Sequence, residues 1–164
     1  MDGICKLADF QTVEEFWQYW NHIPLPSKFF TRQQKFVDRD VEAFSIFRSG
    51  IEPKWEDEKN SAGGEFYFRD SIELSMLDKY WEETVLALIG ETLDPDTNQL
   101  CGVRVVDKTR NNRGKVNPSF RLELWFANND EDMKKEIKSR FENTLETACG
   151  GSGIPTIEYR AHSF

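Results

Sequence analysis

An α+β domain is the fold class this sequence predicts, and three observations carry it. Three stretches repeat apolar residues at helical spacing behind a capping signal, and one stretch, Phe120–Phe126, alternates strictly between apolar and other residues. Several short β-branched or aromatic runs lie between turn residues, as strands do. At 164 residues the chain fits one domain able to bury a core without staples.

The first element read from the N-terminus is a short strand over Cys5–Phe10. Thr12-Val13-Glu14-Glu15 then makes a capping box, opening a helix to about His22 that Pro24 and Pro26 end. Val13 and Trp17 share one face of it, and Phe16 and Trp20 another. Two apolar faces require either full burial or a docking surface on one side.

Pro26–Glu42 is polar and basic with Phe29, Phe30 and Phe36 interspersed, which suits a surface connection pinned by aromatics or a phosphate-gripping loop. Ala43–Phe47 and Glu65–Phe68 read as strands of a hairpin-like unit, with the intervening loop at its mouth. Ser75-Met76-Leu77-Asp78 signals a second capped helix, in which Leu77, Trp81, Thr84, Val85 and Leu88 keep helical spacing until Gly90.

Cys101–Asp107 is valine-rich and reads as a strand, followed by a basic turn segment, Lys108–Pro118. In Phe120–Phe126, Phe120, Leu122, Leu124 and Phe126 fall on one side, and Arg121, Glu123 and Trp125 on the other. That places Trp125 off the main apolar stripe and more exposed than its neighbours, or covering the sheet's second side. Asn129 or Asp130 caps a third helix carrying Met133, Ile137, Phe141 and Leu145, closed by Gly150 and Gly151. Thr156–Tyr159 is the last strand.

Twenty-nine acids against twenty-one bases give a net charge of −8, which disfavours non-specific binding along nucleic acid and requires any such contact to be local. Three separated cysteines, Cys5, Cys101 and Cys149, match neither a disulfide framework nor a zinc site and suit a reducing compartment. No apolar run reaches a membrane span and the N-terminus has no signal-peptide core, so a soluble intracellular protein is expected.

The most distinctive stretch is Gly50-Ile51-Glu52-Pro53-Lys54-Trp55-Glu56-Asp57-Glu58-Lys59-Asn60, followed by Gly63-Gly64. It reads as a loop presenting a ring and an acid together. An indole face attracts cations and stacks on planar heterocycles, and the Glu56 carboxylate can accept two hydrogen bonds from adjacent ring N–H groups, as a positively charged purine offers. The same pattern allows Trp55 in the core with the acids solvated. Lys108, Arg110, Arg113 and Lys115, with Arg121 across the turn, concentrate positive charge as a phosphate-binding arm or a solvated tip.

Phe10-x-Thr12-Val13-Glu14-x-Phe16-Trp17 with Asn21-His22-Ile23, the Gly50–Asn60 block, Trp81-x-Glu83-Thr84 with Leu88-Ile89-Gly90-Glu91, and Cys101-Gly102 resemble, in order and spacing, the eukaryotic translation initiation factor 4E family of mRNA cap-binding proteins. The resemblance implies a curved antiparallel β-sheet with three long helices packed on its convex face, and a single domain over residues 1–164 that begins after the family's first strand. It implies 7-methylguanosine on the concave side, with Trp55 as one slice of an aromatic sandwich and Glu56 on the guanine edge. Trp125 would lie beside the N7-methyl group, and Lys108, Arg121 and Arg110 would contact the cap's phosphates.

On the convex side, Val13, Trp17, Glu83, Leu86 and Gly90 would receive an amphipathic helix of initiation factor 4G or of a 4E-binding repressor. The family's function is cytoplasmic translation initiation without catalysis, by a monomer in a heteromeric complex, with no cofactor or metal and no membrane. Three departures stand out. The second sandwich Trp would fall before Met1, Glu65 stands where many members carry a base, and Glu82 replaces an apolar residue on the partner face. A regulatory scaffold that docks partners and binds cap weakly is the alternative. A cap hydrolase holding a metal on Glu56, Asp57 and Glu58 lacks a nearby His base.

Overall fold

The alternation in Phe120–Phe126 builds the centre of the molecule, because every residue of that strand is buried, the even-numbered side chains in an apolar core and the odd-numbered ones in a charged cluster. The computed structural model describes residues 3–162. Its elements are α1 (Val13–Trp20), α2 (Pro26–Phe30), β1 (Ala43–Phe47), α3 (Glu58–Ser61), β2 (Gly64–Asp70) and α4 (Leu74–Ile89). There follow β3 (Leu100–Asp107), β4 (Arg110–Asn112), β5 (Lys115–Asn117), β6 (Phe120–Phe126), α5 (Glu131–Cys149) and β7 (Glu158–Ala161).

Five strands form an antiparallel sheet in the order β1-β3-β6-β2-β7, and β4 and β5 pair separately. One face of the sheet, with Phe66, Phe68, Val103, Val105, Leu122 and Leu124, packs against helices. Of these α4 and α5 are long, 16 and 19 residues, lie side by side and contribute Leu77, Trp81, Val85, Ile137, Phe141 and Leu145 to the core. The α1 helix adds a shorter third, of 8 residues.

Local chemistry sets the helix ends. Thr12 Oγ1 accepts the Glu15 N–H at 3.2 Å while the Glu15 carboxylate accepts the Gln11 N–H at 2.7 Å, so the box at the start of α1 closes one residue wider than the usual reciprocal pattern. Asp130 caps α5 by accepting the Met133 N–H at 2.8 Å, and Gly150, at φ 63°, ends it in the left-handed conformation that glycine adopts without strain. At α4 the expected Ser75 signal is unused, since Glu73 occupies the cap position without a side-chain bond.

Several expectations are corrected. Cys5–Phe10 forms no strand; its Phe10 ring packs on Phe16 at 5.3 Å, a local aromatic contact in place of a ladder. The Ala43–Phe47 and Glu65–Phe68 strands are not a hairpin, because β1 pairs with β3 and two strands separate it from β2. In the 26–42 connection, α2 buries Phe29 and Phe30 against Phe44 and Phe120. The basic turn after β3 is itself a hairpin, and the last strand lies two residues later than the sequence suggests.

Phe141 is fully buried between α5 and the sheet core. Phe141→Ala is expected to lower unfolding stability by about 3–5 kcal/mol, the transfer energy of the removed ring plus the cavity, read as a lower urea midpoint.

Candidate functional site

The second face of the sheet is lined by charge. The register sets Arg104, Glu123 and Tyr67 in one row across β3, β6 and β2, and Trp125, Glu65 and Arg160 in the next row across β6, β2 and β7. Glu65 is fully buried. Its Oε1 accepts from Arg121 and, at 2.7 Å, from Arg160, and its Oε2 lies 2.9 Å from His162 Nε2. Arg121 also stacks on the Tyr67 ring, 3.6 Å from its centroid, and its Nε lies 2.9 Å from Glu123. Glu123 in turn accepts the Trp125 indole N–H at 2.9 Å.

Burial would raise the Glu65 pKa, but the His162 hydrogen bond and the charges of Arg160 and Arg121 outweigh it and hold the carboxyl below its ordinary value. Glu123 goes the other way. Burial first, and then the negative charge of Glu65, push it up, only partly offset by Arg104, the Trp125 N–H and Arg121.

The Trp55 loop is tied to this cluster from beneath. Asn60, fully buried, donates to the carbonyls of Glu52 and Lys54 at 2.7 and 2.8 Å, and Asp57 accepts the N–H groups of Glu52 and Lys59. The Asn60 carbonyl meets His162 Nδ1 at 3.0 Å. His162 stacks on Trp55 at 5.6 Å and 20°, and touches Trp125 at 4.5 Å, so the imidazole joins the two indoles. The Arg160 guanidinium lies 4.3 Å from the centroid of Trp55. Trp55 is half-buried, and Glu56 beside it is exposed without a bonded partner among the described residues.

Of the residues the sequence singles out, Trp55, Glu56, Trp125 and Arg121 therefore gather around one cluster. Of the two readings that alternation left for Trp125, the structure has the second: it covers the sheet's charged side at 1% exposure, packed under His162 and edge-on to Phe47 at 5.3 Å. Gly102 permits that packing, since a Cβ there would lie 2.4 Å from the Phe47 ring. Arg121 is 8% exposed and spent on Glu65 and Glu123. Lys108 and Arg110 lie beyond the opposite end of β3, about 20 and about 27 Å along the strands from the Trp125 row at 3.3–3.4 Å per residue.

Asp57 is occupied within its own loop, and among the described residues no three His, Cys, Asp or Glu side chains gather at metal-binding range. His162, Asn60 and Arg160 are the site residues that sequence reading misses. Nothing local marks them, although the buried Glu65 in an aromatic strand was a signal that cations must converge on it.

On the helical side, Val13 is 56% and Trp17 40% exposed, while Phe16 on the neighbouring face is buried and Trp20 stacks on Trp81 of α4 at 6.4 Å. The two-faced helix is thus half core and half open surface. Glu83 and Leu86 are half-buried and Gly90 exposed along α4. Among the described residues no helix is long and apolar enough to cross a membrane.

A sequence model described as Eukaryotic initiation factor 4E matches residues 1–163. The chain belongs to the eukaryotic initiation factor 4E family. It is 35% identical over 162 residues to eukaryotic translation initiation factor 4E-2 of Schizosaccharomyces pombe, covering 98% of this chain and 58% of that protein. It is 30% identical over 162 residues to the Saccharomyces cerevisiae initiation factor 4E, covering 99% of this chain and 66% of the relative. The chain thus spans roughly three-fifths to two-thirds of these relatives' length. Among solved structures it resembles Ascaris suum eIF4E-3 in complex with m7G cap, with a TM-score of 0.71, 28% identity, and coverage of 96% of this chain and 77% of that one.

The Glu65 cluster gives this 4E-family fold a defined acid sensitivity. A carboxyl held below its unfolded value of 4.5 contributes stability in full above that pH and loses it as pH falls through the lower folded value. Glu65→Gln is expected to be less stable than wild type at neutral pH, by about 3–5 kcal/mol for a partner removed from a buried charge cluster. Its stability should also fall less steeply than wild type below pH 4.5, read from urea midpoints across the acid range.

Proposed function

We propose that this chain binds the 7-methylguanosine cap of mRNA and delivers it to cytoplasmic translation initiation through a helical partner of the 4G type, as a binding protein rather than an enzyme. The observation that carries the reading is the guanidinium of Arg160 resting 4.3 Å from the centre of the Trp55 indole, beside the exposed carboxylate of Glu56, which has no bonded partner among the described residues. That ring face already holds a planar, delocalised cation. A guanine methylated at N7 is another, and its Watson–Crick edge offers Glu56 two N–H donors.

In this reading Arg160 swings off the ring while keeping its bond to Glu65, and the base takes its place. Trp125 acts from behind, holding His162 against Trp55, and so sets the floor beneath the N7-methyl group. Arg121 meets the first phosphate at the edge of the cluster, and Lys108 and Arg110 stand further along the same ladder of strands. Similarity to the cap-bound Ascaris suum protein supports the placement of the base.

Titration with 7-methylguanosine triphosphate should quench Trp fluorescence far more than GTP does. Trp55→Ala should weaken binding at least about tenfold, consistent with loss of a desolvated cation–π contact of about 2 kcal/mol. An equal response to GTP, or full affinity without the indole, would count against cap recognition.

The open row of Val13 and Trp17 next to Glu83, Leu86 and Gly90 is proposed to take the partner's amphipathic helix. Trp17→Ala should cost at least about 2 kcal/mol in binding a 4G-type peptide while leaving cap affinity intact, measured by calorimetry. A second reading, a regulatory scaffold with weak cap binding, is favoured by one fact: Glu65 occupies both Arg121 and Arg160. Partner capture that survives Trp55→Ala, together with no cap retention by wild type, would select it.

A further inference from the structure

Beyond Asp107 and Phe120 the two central strands do not separate; they run on as β4 and β5 in one register. Val106 pairs with Arg121 and Asp107 with Phe120, then the Lys108 N–H donates to the Ser119 carbonyl at 2.8 Å. Arg110 then pairs with Asn117, Asn111 with Val116 and Asn112 with Lys115. In a continuous register side chains keep alternating between faces, so Arg110, Asn112, Lys115 and Asn117 fall on the side of Arg121. The opposite side agrees. Thr109, Asn111 and Val116 line a cavity of about 560 Å³ under the hairpin with Phe30, Arg32, Glu42 and Asp107, and Lys108 also reaches this side.

The charged face of the sheet therefore extends into an exposed basic ramp. Residues 108–119 hold four cations and no acid in a chain of net charge −8. Lys108, Arg110, Arg113 and Lys115 make no ion pair among the described residues, and β4 and β5 are exposed throughout. Arg69 adds a fifth cation at the base, its Nε donating to Ser119 Oγ at 3.0 Å. Free cations with two amides beside them match phosphate and sugar oxygens, which carry no sequence information.

We infer that this face of the hairpin is the track for the RNA strand that follows the cap, holding the phosphates of its first nucleotides; the inference rests on the cap reading above. The ramp starts about 20 Å from the Trp125 row, beyond the base itself. Elsewhere the acidic surface repels a polyanion, so the strand is confined to this path.

The test compares wild type with an Arg113→Ser, Lys115→Ser double variant, both residues lying at the exposed tip. Binding is measured by fluorescence anisotropy to a capped RNA of about eight nucleotides, and separately to 7-methylguanosine triphosphate. The variant should bind the oligonucleotide about fivefold more weakly at 0.1 M salt, with the log–log salt slope flattened by about 0.7 for each phosphate no longer neutralised. The mononucleotide should bind as to wild type, and Arg113→Lys, Lys115→Arg should restore the oligonucleotide. Unchanged oligonucleotide affinity and slope would overturn the inference and leave the ramp to another anion such as an acidic protein segment. An equal weakening for the mononucleotide would overturn it by placing these residues on the cap. If wild type binds no mononucleotide, the cap reading fails by itself. Salt-dependent binding of an uncapped oligonucleotide, weakened in the double variant, would then still uphold the hairpin.

Discussion

The buried carboxylate of Glu65 is the interaction on which the charged face of the sheet depends. It joins Arg121 of β6, Arg160 of β7 and the following His162, and so ties three strands together through one pair of oxygens. Such a cluster is not a large source of net stability, since desolvating the ions offsets most of their attraction. What it supplies is position. Remove the acid and two guanidiniums and an imidazole lose the group that orients them, and with them goes the packing beneath Trp55.

The same carboxylate divides the charge of this face between two places. Beside Trp55 the guanidiniums of Arg121 and Arg160 are engaged by Glu65, while Glu56 has no bonded partner among the described residues. That environment suits a cationic base and does little for a polyphosphate. Cations without an ion pair among the described residues cluster in the hairpin that continues β3 and β6, at Lys108, Arg110, Arg113 and Lys115. Glu65 and Glu123 share Arg121 and shift in opposite directions, Glu65 with more cations around it and Glu123 buried against a like charge. One negative charge is thereby favoured over two at the centre of the face.

How far the sequence discloses this arrangement depends on whether the determining contact is local. The caps at Thr12 and Asp130, the stripe Met133–Ile137–Phe141–Leu145 and the two sides of Phe120–Phe126 are all set by neighbours within a few residues, and each is legible. Alternation reports which side of a sheet a residue takes but not how deep that side is buried, hence the two readings of Trp125, which His162, 37 positions later, and Phe47 decide by covering it. Pairing of β1 with β3 rather than β2 is a long-range choice with no local signature. A short motif singles out Trp55 and Glu56 and also contains Asn60, whose amide ties its own loop; Arg160 and His162 have no such signature, because their contacts exist only once β7 closes on β2.

A single strand makes the two working surfaces neighbours without making them electrically coupled. Leu122 and Leu124 face α4 and α5, while Arg121, Glu123 and Trp125 of the same seven residues face the ligand side. Between Trp55 and the open row of Val13 and Trp17 therefore lies a layer of Phe66, Phe68, Leu122 and Leu124, none of which carries charge or titrates. Charge arriving with a ligand is felt across such a layer only weakly compared with the Glu65 cluster it enters. Communication between the faces would have to be mechanical, a shift of β6 or β2 transmitted through close-packed side chains that resist compression. The fold thus lets one face change its charge complement, as Glu65 and the basic hairpin illustrate, without disturbing the helical face across the sheet.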